Sequence, residues 1–150
     1  MQDIQADTVV SEFKTDKNKL SVWKIENTSD IEDAFIALAS NCSTIGTICA
    51  AMIPPEELKL LEFDDEEGDT PTIGINHKHC NIIELNYVSL GHVISSILRC
   101  VQNQDNMLIR KSRADMKNLL AKAYSQNKLD TTRISPSVLD EIKKVLTKKS

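Results

Sequence analysis

The chain has 150 residues, of which 41% are hydrophobic and 27% are charged, and its formal net charge is -4 at pH 7. This composition is typical of one globular domain, and it excludes a fibrous protein and an intrinsically disordered one. A domain of this length buries roughly 70% of the surface of its unfolded chain, so its stability requires neither a metal ion nor a disulfide.

The first part of the chain predicts a β-hairpin followed by a helix. The segments "TVVSEFK" (8–14) and "KLSVWKIE" (19–26) are rich in β-branched and aromatic residues and flank a polar turn, as the strands of a hairpin do. Ser29 and Glu32 match the S-x-x-E capping box, and apolar residues then recur at helical spacing. We therefore expect a helix over 30–40.

The middle of the chain predicts a buried strand, a short helix and a loop. The continuous apolar run "TIGTICAAMI" (44–53) is typical of a strand buried on both faces, and we expect it to be the central strand. Pro54 and Pro55 end this strand and favour a short helix to about Leu61. The segment "DDEEGDTP" (64–71) predicts a solvated loop, because closely spaced carboxylates repel one another and resist burial.

The second half of the chain predicts three helices and one short strand. Apolar residues recur every three or four positions over 82–102, which indicates the core helix. The segment "MLIR" (107–110) has the length of an edge strand. Ser112 and Asp115 match a second capping box, and Pro136 is typical of the first turn of the last helix.

These elements predict an α+β fold in a single domain that spans residues 1–150. We expect a small mixed sheet, formed by the N-terminal hairpin and the buried central strand, with helices packed on it and a helical C-terminal third. No internal repeat, low-complexity tract or Gly/Ser linker divides the chain.

Three sequence features predict a cytoplasmic protein without a membrane span. The N-terminal segment "MQDIQADTVV" lacks the basic and apolar stretches of a secretory signal. The longest apolar run has about half the length of a membrane-spanning helix. The four cysteines form no C-x-x-C pair, so we interpret them as reduced and buried side chains.

The segment "INHKHCNIIELNY" (75–87) contains the densest cluster of reactive side chains, and it has two interpretations. On a strand, residues two apart point the same way and could bind zinc together with acids of the 64–69 loop. At the start of the core helix such residues diverge by roughly 200°, and the spacing matches no HExxH or EF-hand pattern. We favour the helix start and keep a metal-dependent hydrolase as an alternative. The ligands of that alternative are His77, His79, Cys80 and His92.

No catalytic or cofactor-binding motif is evident in the remaining sequence. The four glycines are too sparse for a P-loop or a dinucleotide-binding fingerprint, and no G-x-S-x-G elbow presents a nucleophile. We therefore predict no catalytic residue and no cofactor, and we favour a non-catalytic protein over an enzyme.

Charge is distributed unevenly along the chain. Residues 1–75 contain 5 Lys and Arg against 16 Asp and Glu, whereas residues 76–150 contain 13 against 6. Either the two halves pack together and their charges mix on the surface, or the charged segments bind a partner. The candidate partner-binding residues are Glu56, Glu57, Asp64, Asp65, Glu66, Glu67, Asp69, Lys143 and Lys144.

These observations predict a protein-protein interaction domain that acts as an accessory subunit, adaptor or inhibitor of a larger cytosolic partner. Its contact surface would be the acidic segment 56–69 or the basic C-terminal helices. A second alternative is a nucleic-acid-binding accessory protein that uses those basic helices. The sequence pI of about 5.4 and the scarcity of aromatic residues beyond residue 100 argue against that alternative.

Overall fold

The computed structural model describes residues 16–102 and 108–148, and the predicted strand over 8–14 lies outside them. Its strands are β1 (Leu20–Trp23), β2 (Ile48–Ala51), β3 (Glu62–Asp64), β4 (His79–Ile83) and β5 (Leu108–Lys111). Its helices are α1 (Thr28–Ser40), α2 (Tyr87–Gln102), α3 (Arg113–Ser125) and α4 (Pro136–Lys148), with short 3₁₀ helices at Pro55–Leu58 and Asn76–Lys78. These elements confirm the predicted α+β class.

The strands of the described residues form two antiparallel sheets rather than one mixed sheet. The larger sheet has the order β1-β4-β3, and the smaller sheet pairs β2 with β5. The strand predicted over 44–53 is present as β2, but β4 occupies the centre of the larger sheet. The apolar run was misleading because β2 is buried on only one face. Ile48 and Ala50 pack on the helices, whereas Cys49 is exposed.

The start of α1 differs from its prediction. Asn27 is the N-cap residue, and its Oδ1 accepts hydrogen bonds from the backbone nitrogens of Ser29 at 3.0 Å and Asp30 at 3.3 Å. In return, the Asp30 carboxylate accepts a hydrogen bond from the Asn27 backbone nitrogen at 3.1 Å. The capping box is therefore Asn27 with Asp30, and the predicted pair of Ser29 with Glu32 is wrong.

The helix predicted over 82–102 begins later, at Tyr87. Residues 79–83 belong to β4, and Glu84 ends that strand with a left-handed φ of 53°. Asn86 then caps α2, because its side-chain oxygen accepts from the backbone nitrogens of Val88 at 2.9 Å and Ser89 at 3.0 Å. The apolar periodicity extended past the true start because the apolar residues of β4 precede the helix without a break.

Several other predictions are confirmed. Ser112 and Asp115 form the capping box of α3, and α4 begins at Pro136. The short strand near 107–110 is β5, and the turn after Pro54 is a 3₁₀ helix. None of the helices among the described residues is long and apolar enough to cross a membrane.

The buried apolar residues fall into two clusters, which define two units of the fold. The helical unit comprises α1, α3 and α4 with the β2–β5 sheet, and its core includes Phe35, Met116, Leu120, Val138 and Ile142. The sheet unit comprises the larger sheet with α2, and its core is built on Ile82, Leu85 and Val93.

Residues 69–76, the connecting loop, lie between β3 and β4 of the sheet unit and contact the helical unit. Polar groups inside this loop are buried and bond to one another. Asn76 Oδ1 accepts from the Thr70 hydroxyl at 2.7 Å, and Asn76 Nδ2 donates to the Thr70 carbonyl oxygen at 3.1 Å. The loop also exchanges backbone hydrogen bonds with residues 128–130 of the helical unit. Asp64 belongs to β3, and Thr70 and Pro71 are buried, so the prediction of a solvated loop over 64–71 holds only for residues 65–69.

Candidate functional site

The histidine cluster lies at the start of β4, where the sequence interpretation placed the start of a helix. His77 is exposed in the 3₁₀ turn, and His79 begins the strand. The Nδ1 of His79 donates to the Glu66 carbonyl oxygen, 2.7 Å away, and its ring meets Trp23 edge-on with the centroids 5.4 Å apart. His79 therefore holds the acidic loop against the sheet.

The other members of the proposed ligand set point elsewhere. Cys80 is buried on the opposite face of β4 from His79, and burial raises the pKa of its thiol, which disfavours the thiolate that a metal needs. His92 is exposed on α2. Within residues 16–102 and 108–148, no group of three or more His, Cys, Asp or Glu side chains could hold a metal ion.

The four cysteines are free thiols. Cys80 and Cys100 are buried as predicted, but Cys42 and Cys49 are exposed, so the prediction of burial is wrong for this pair. Cys49 is exposed because it lies on the outer face of β2, and Cys42 because it follows the last turn of α1.

The acidic segment is largely neutralised by basic residues of the same chain. Lys19 Nζ lies 3.0 Å from the Asp64 carboxylate and 3.2 Å from that of Glu66. The Asn81 side chain donates to the same two carboxylates at 3.0 and 2.9 Å. The hydrogen bond that Lys19 donates lowers the pKa of Asp64, and the bonds that Lys19 donates to Asp64 and Glu66 raise the pKa of Lys19.

Other acidic candidates are paired in the same way. Asp65 contacts Lys24, Glu57 contacts Arg99, and Asp69 contacts Arg133. Arg99 and Arg133 come from the second half of the chain, so part of the opposite charge of the two halves cancels on the folded surface. Among the predicted acidic residues, only Glu56 and Glu67 have no partner in the described part of the chain.

A groove between α3 and α4 contains four basic side chains of the helical unit. Its volume is about 510 Å³, and four of the residues that line it are basic. These residues are Arg113, Lys117, Lys144 and Lys148. Lys143, the other predicted basic residue, is exposed on α4 but does not line the groove.

Glu141 divides these basic residues into two kinds. Its carboxylate lies 3.0 Å from Arg113 and 2.5 Å from Lys117, and the hydrogen bond from Lys117, aided by Arg113, lowers the pKa of Glu141. Lys144 and Lys148 are exposed and have no ion-pair partner among the described residues. They lie one helical turn apart, with about 6 Å between their Cβ atoms, and so can contact two neighbouring anionic groups.

The sequence predicted Lys144 as a partner-binding residue and the C-terminal helices as basic, but it did not predict the ion pairs of Glu141. The four-residue spacing between Lys144 and Lys148 is a readable signal, because it places both on one face of α4 and Lys143 on another. The role of Glu141 could not be read in this way, since its partners belong to α3. The groove offers cationic side chains, which suit it to the binding of anions.

A smaller cavity of about 330 Å³ lies on the polar face of the larger sheet. Lys19, Ser21, Glu66 and Asn81 line it, and their polar groups already bond to one another or to Asp64. This cavity therefore has less unsatisfied bonding capacity than the α3–α4 groove.

Comparison of the chain with protein-family models, with curated proteins and with solved structures finds no match.

Proposed function

We propose that the chain is a non-catalytic protein-protein interaction domain that binds an acidic segment of its partner in the α3–α4 groove. The partner is a larger protein for which this chain acts as an accessory subunit, adaptor or inhibitor. We place the chain and its partner in the cytoplasm.

The observation that carries this proposal is the contrast between the two charged surfaces. Most acidic residues of segment 56–69 are already paired within the chain, whereas Lys144 and Lys148 in the groove have no partner among the described residues. A cation without an internal partner keeps its full attraction for an external anion. The basic groove is thus favoured over the acidic segment as the contact surface.

Two features favour an acidic peptide over a nucleic acid as the ligand. Asp140 and Glu141 also line the groove, and their charges repel a continuous phosphate backbone. Tyr124, the aromatic residue of α3, packs against the core of the helical unit and is not available for stacking on bases. An acidic peptide can place its carboxylates beside Lys144 and Lys148 and avoid Glu141.

The test compares neighbouring charge reversals on one helix. A fluorescently labelled Glu-rich peptide is titrated with the wild type, Lys144→Glu, Lys148→Glu and Lys143→Glu, and binding is measured by anisotropy at low salt. We expect each groove variant to weaken binding about fivefold or more, because a repulsion replaces an attraction of up to about 1 kcal/mol. Lys143→Glu is the matched control, since it changes the same charge on the same helix outside the groove.

Equal losses for Lys143→Glu and Lys144→Glu would show that only net charge matters and would remove the groove from the proposal. Tighter binding of a DNA duplex than of the peptide, with affinity falling steeply in salt, would replace the proposal with the nucleic-acid alternative. Normal binding by both groove variants would also reject the proposal.

A further inference from the structure

The helical unit and the sheet unit have separate apolar cores. Their buried apolar residues form separate clusters, so no single apolar core spans both units. α2 of the sheet unit lies beside β2 of the helical unit, and next to this contact the Cys100 thiol donates to the Met52 carbonyl oxygen at 3.2 Å. The other main connections are polar, namely the connecting loop 69–76 and the Lys78 side chain. Polar contacts of this kind couple two units only as strongly as their few bonds allow.

Lys78 makes the most deeply buried of these connections. It lies in the 3₁₀ turn that leads into β4, and its Nζ reaches Asp30 at 2.6 Å and Asp33 at 2.9 Å on α1. Asp30 is only 3% exposed. The Lys78 side chain therefore extends from the sheet unit to a buried carboxylate of the helical unit. Its hydrogen bond is the largest cause that lowers the pKa of Asp30 to about 2.

The two carboxylates keep other partners when Lys78 is removed. Asp30 also accepts from the backbone nitrogens of Glu26 at 2.8 Å and Asn27 at 3.1 Å. Asp33 lies 3.6 Å from Lys128, which belongs to the helical unit. The helical unit can therefore satisfy its own charges, whereas Lys78 has no other ion-pair partner among the described residues.

We propose that the Lys78–Asp30–Asp33 cluster is a clasp whose release lets the sheet unit open while the helical unit stays folded. The clasp couples two cooperative units that are otherwise separately stable. This inference does not depend on the proposed function, but it has a consequence for it: the α3–α4 groove would persist when the sheet unit opens.

The test is hydrogen exchange of the full chain, followed by mass spectrometry, for the wild type and Lys78→Met. We expect amides of β1, β4 and α2 to exchange about ten- to a hundredfold faster in the variant, because a hydrogen-bonded charge contributes in that range. Amides of α3 and α4 should keep their wild-type rates. Lys24→Met is the matched control, because its partner Asp65 lies in the sheet unit and the pair is exposed.

An equal acceleration in α3 and β4 would show one cooperative unit and overturn the inference. Unchanged rates in β1 and β4 would show that Lys78 is not the clasp. If Lys78→Met fails to fold, native-state exchange of the wild type in increasing urea decides the question. Separate opening transitions for β4 and α3 support the inference, and a shared transition rejects it.

Discussion

The helical unit and the sheet unit bury their apolar residues in different ways. Three helices and the small sheet surround the first core, so residues such as Met116, Leu120 and Ile142 are inaccessible from every side. The larger sheet is covered on one face by α2, and its other face carries Lys19, Asp64 and Asn81 in a hydrogen-bonded network. A single covering helix leaves half of a sheet to be satisfied by polar contacts.

This difference explains where the charges of the chain are used. On the sheet unit they pair with one another and replace the missing second layer, which leaves little attraction for a partner. On the helical unit the core already provides the stability, so Lys144 and Lys148 can remain unpaired on its surface. Under the proposed function, the paired charges of the sheet unit contribute to stability and the unpaired lysines of the helical unit contribute to binding.

The largest expected effect comes from truncating a fully buried side chain in each core. Leu120→Ala and Ile82→Ala should each lower the free energy of unfolding of their unit by about 2–5 kcal/mol, because each leaves a cavity. Urea unfolding followed by fluorescence of Trp23, which lies in β1, reports on the sheet unit. Circular dichroism reports mainly on the helical unit, which contains α1, α3 and α4, with a smaller contribution from α2.

The two probes distinguish separate unfolding of the two units from joint unfolding. For Ile82→Ala the fluorescence transition should move to lower urea than the circular dichroism transition. Coincident transitions in both variants would show that the two cores unfold as one.

The next effect concerns the connecting loop between the units. Asn76→Ala removes five hydrogen bonds to Thr70 and Thr72 and should cost about 1–3 kcal/mol of unfolding free energy, since buried polar groups of the loop lose their partner. Asn118→Ala, an exposed position on α3, is the control. Equal thermal midpoints for the two variants would contradict a structural role for the loop network.

The third effect is the loss of stability at low pH when Asp30 becomes protonated. The pKa of Asp30 is about 2 in the folded protein and 3.8 ordinarily, so ionised Asp30 stabilises the fold fully above about pH 4. That stabilisation is lost as the pH falls toward 2. The difference in stability between the wild type and Asp30→Asn should therefore narrow over this interval in urea titrations. A difference that stays constant from pH 5 to about 2 would exclude the ionised clasp.

The smallest expected effect distinguishes the observed helix cap from the predicted one. Asn27→Ala should cost about 1 kcal/mol, because two backbone nitrogens of α1 lose their acceptor. Ser29→Ala should lower the free energy of unfolding by no more than about 0.5 kcal/mol, since Ser29 is exposed and does not cap the helix. Thermal unfolding of the two variants measures both, and the reverse order would restore the sequence prediction.

Local patterns predicted the elements well where one helix or strand carries the whole signal. The capping box at Ser112 and the start of α4 at Pro136 are read from neighbouring residues, and both are confirmed. The errors occur where two signals adjoin. Ser29 and Asn27 offer equivalent caps two residues apart, and β4 passes into α2 without a polar break.

The candidate site was predictable only in part, for the same reason. The spacing of Lys144 and Lys148 on α4 can be read from the sequence, but the pairing of Glu141 with Arg113 and Lys117 depends on contact between two helices. Likewise, nothing in the acidic segment itself indicates that Lys19, Lys24, Arg99 and Arg133 neutralise it.

The α+β class, the approximate helices and the opposite charges of the two halves can be read from the sequence, because periodicity, caps and composition are local properties. The division into two cores, the central position of β4 and the choice of which charges remain unpaired were decided by the tertiary structure. These features depend on residues that are distant in the chain, and only folding brings such residues within the few ångströms over which ion pairs and packing act.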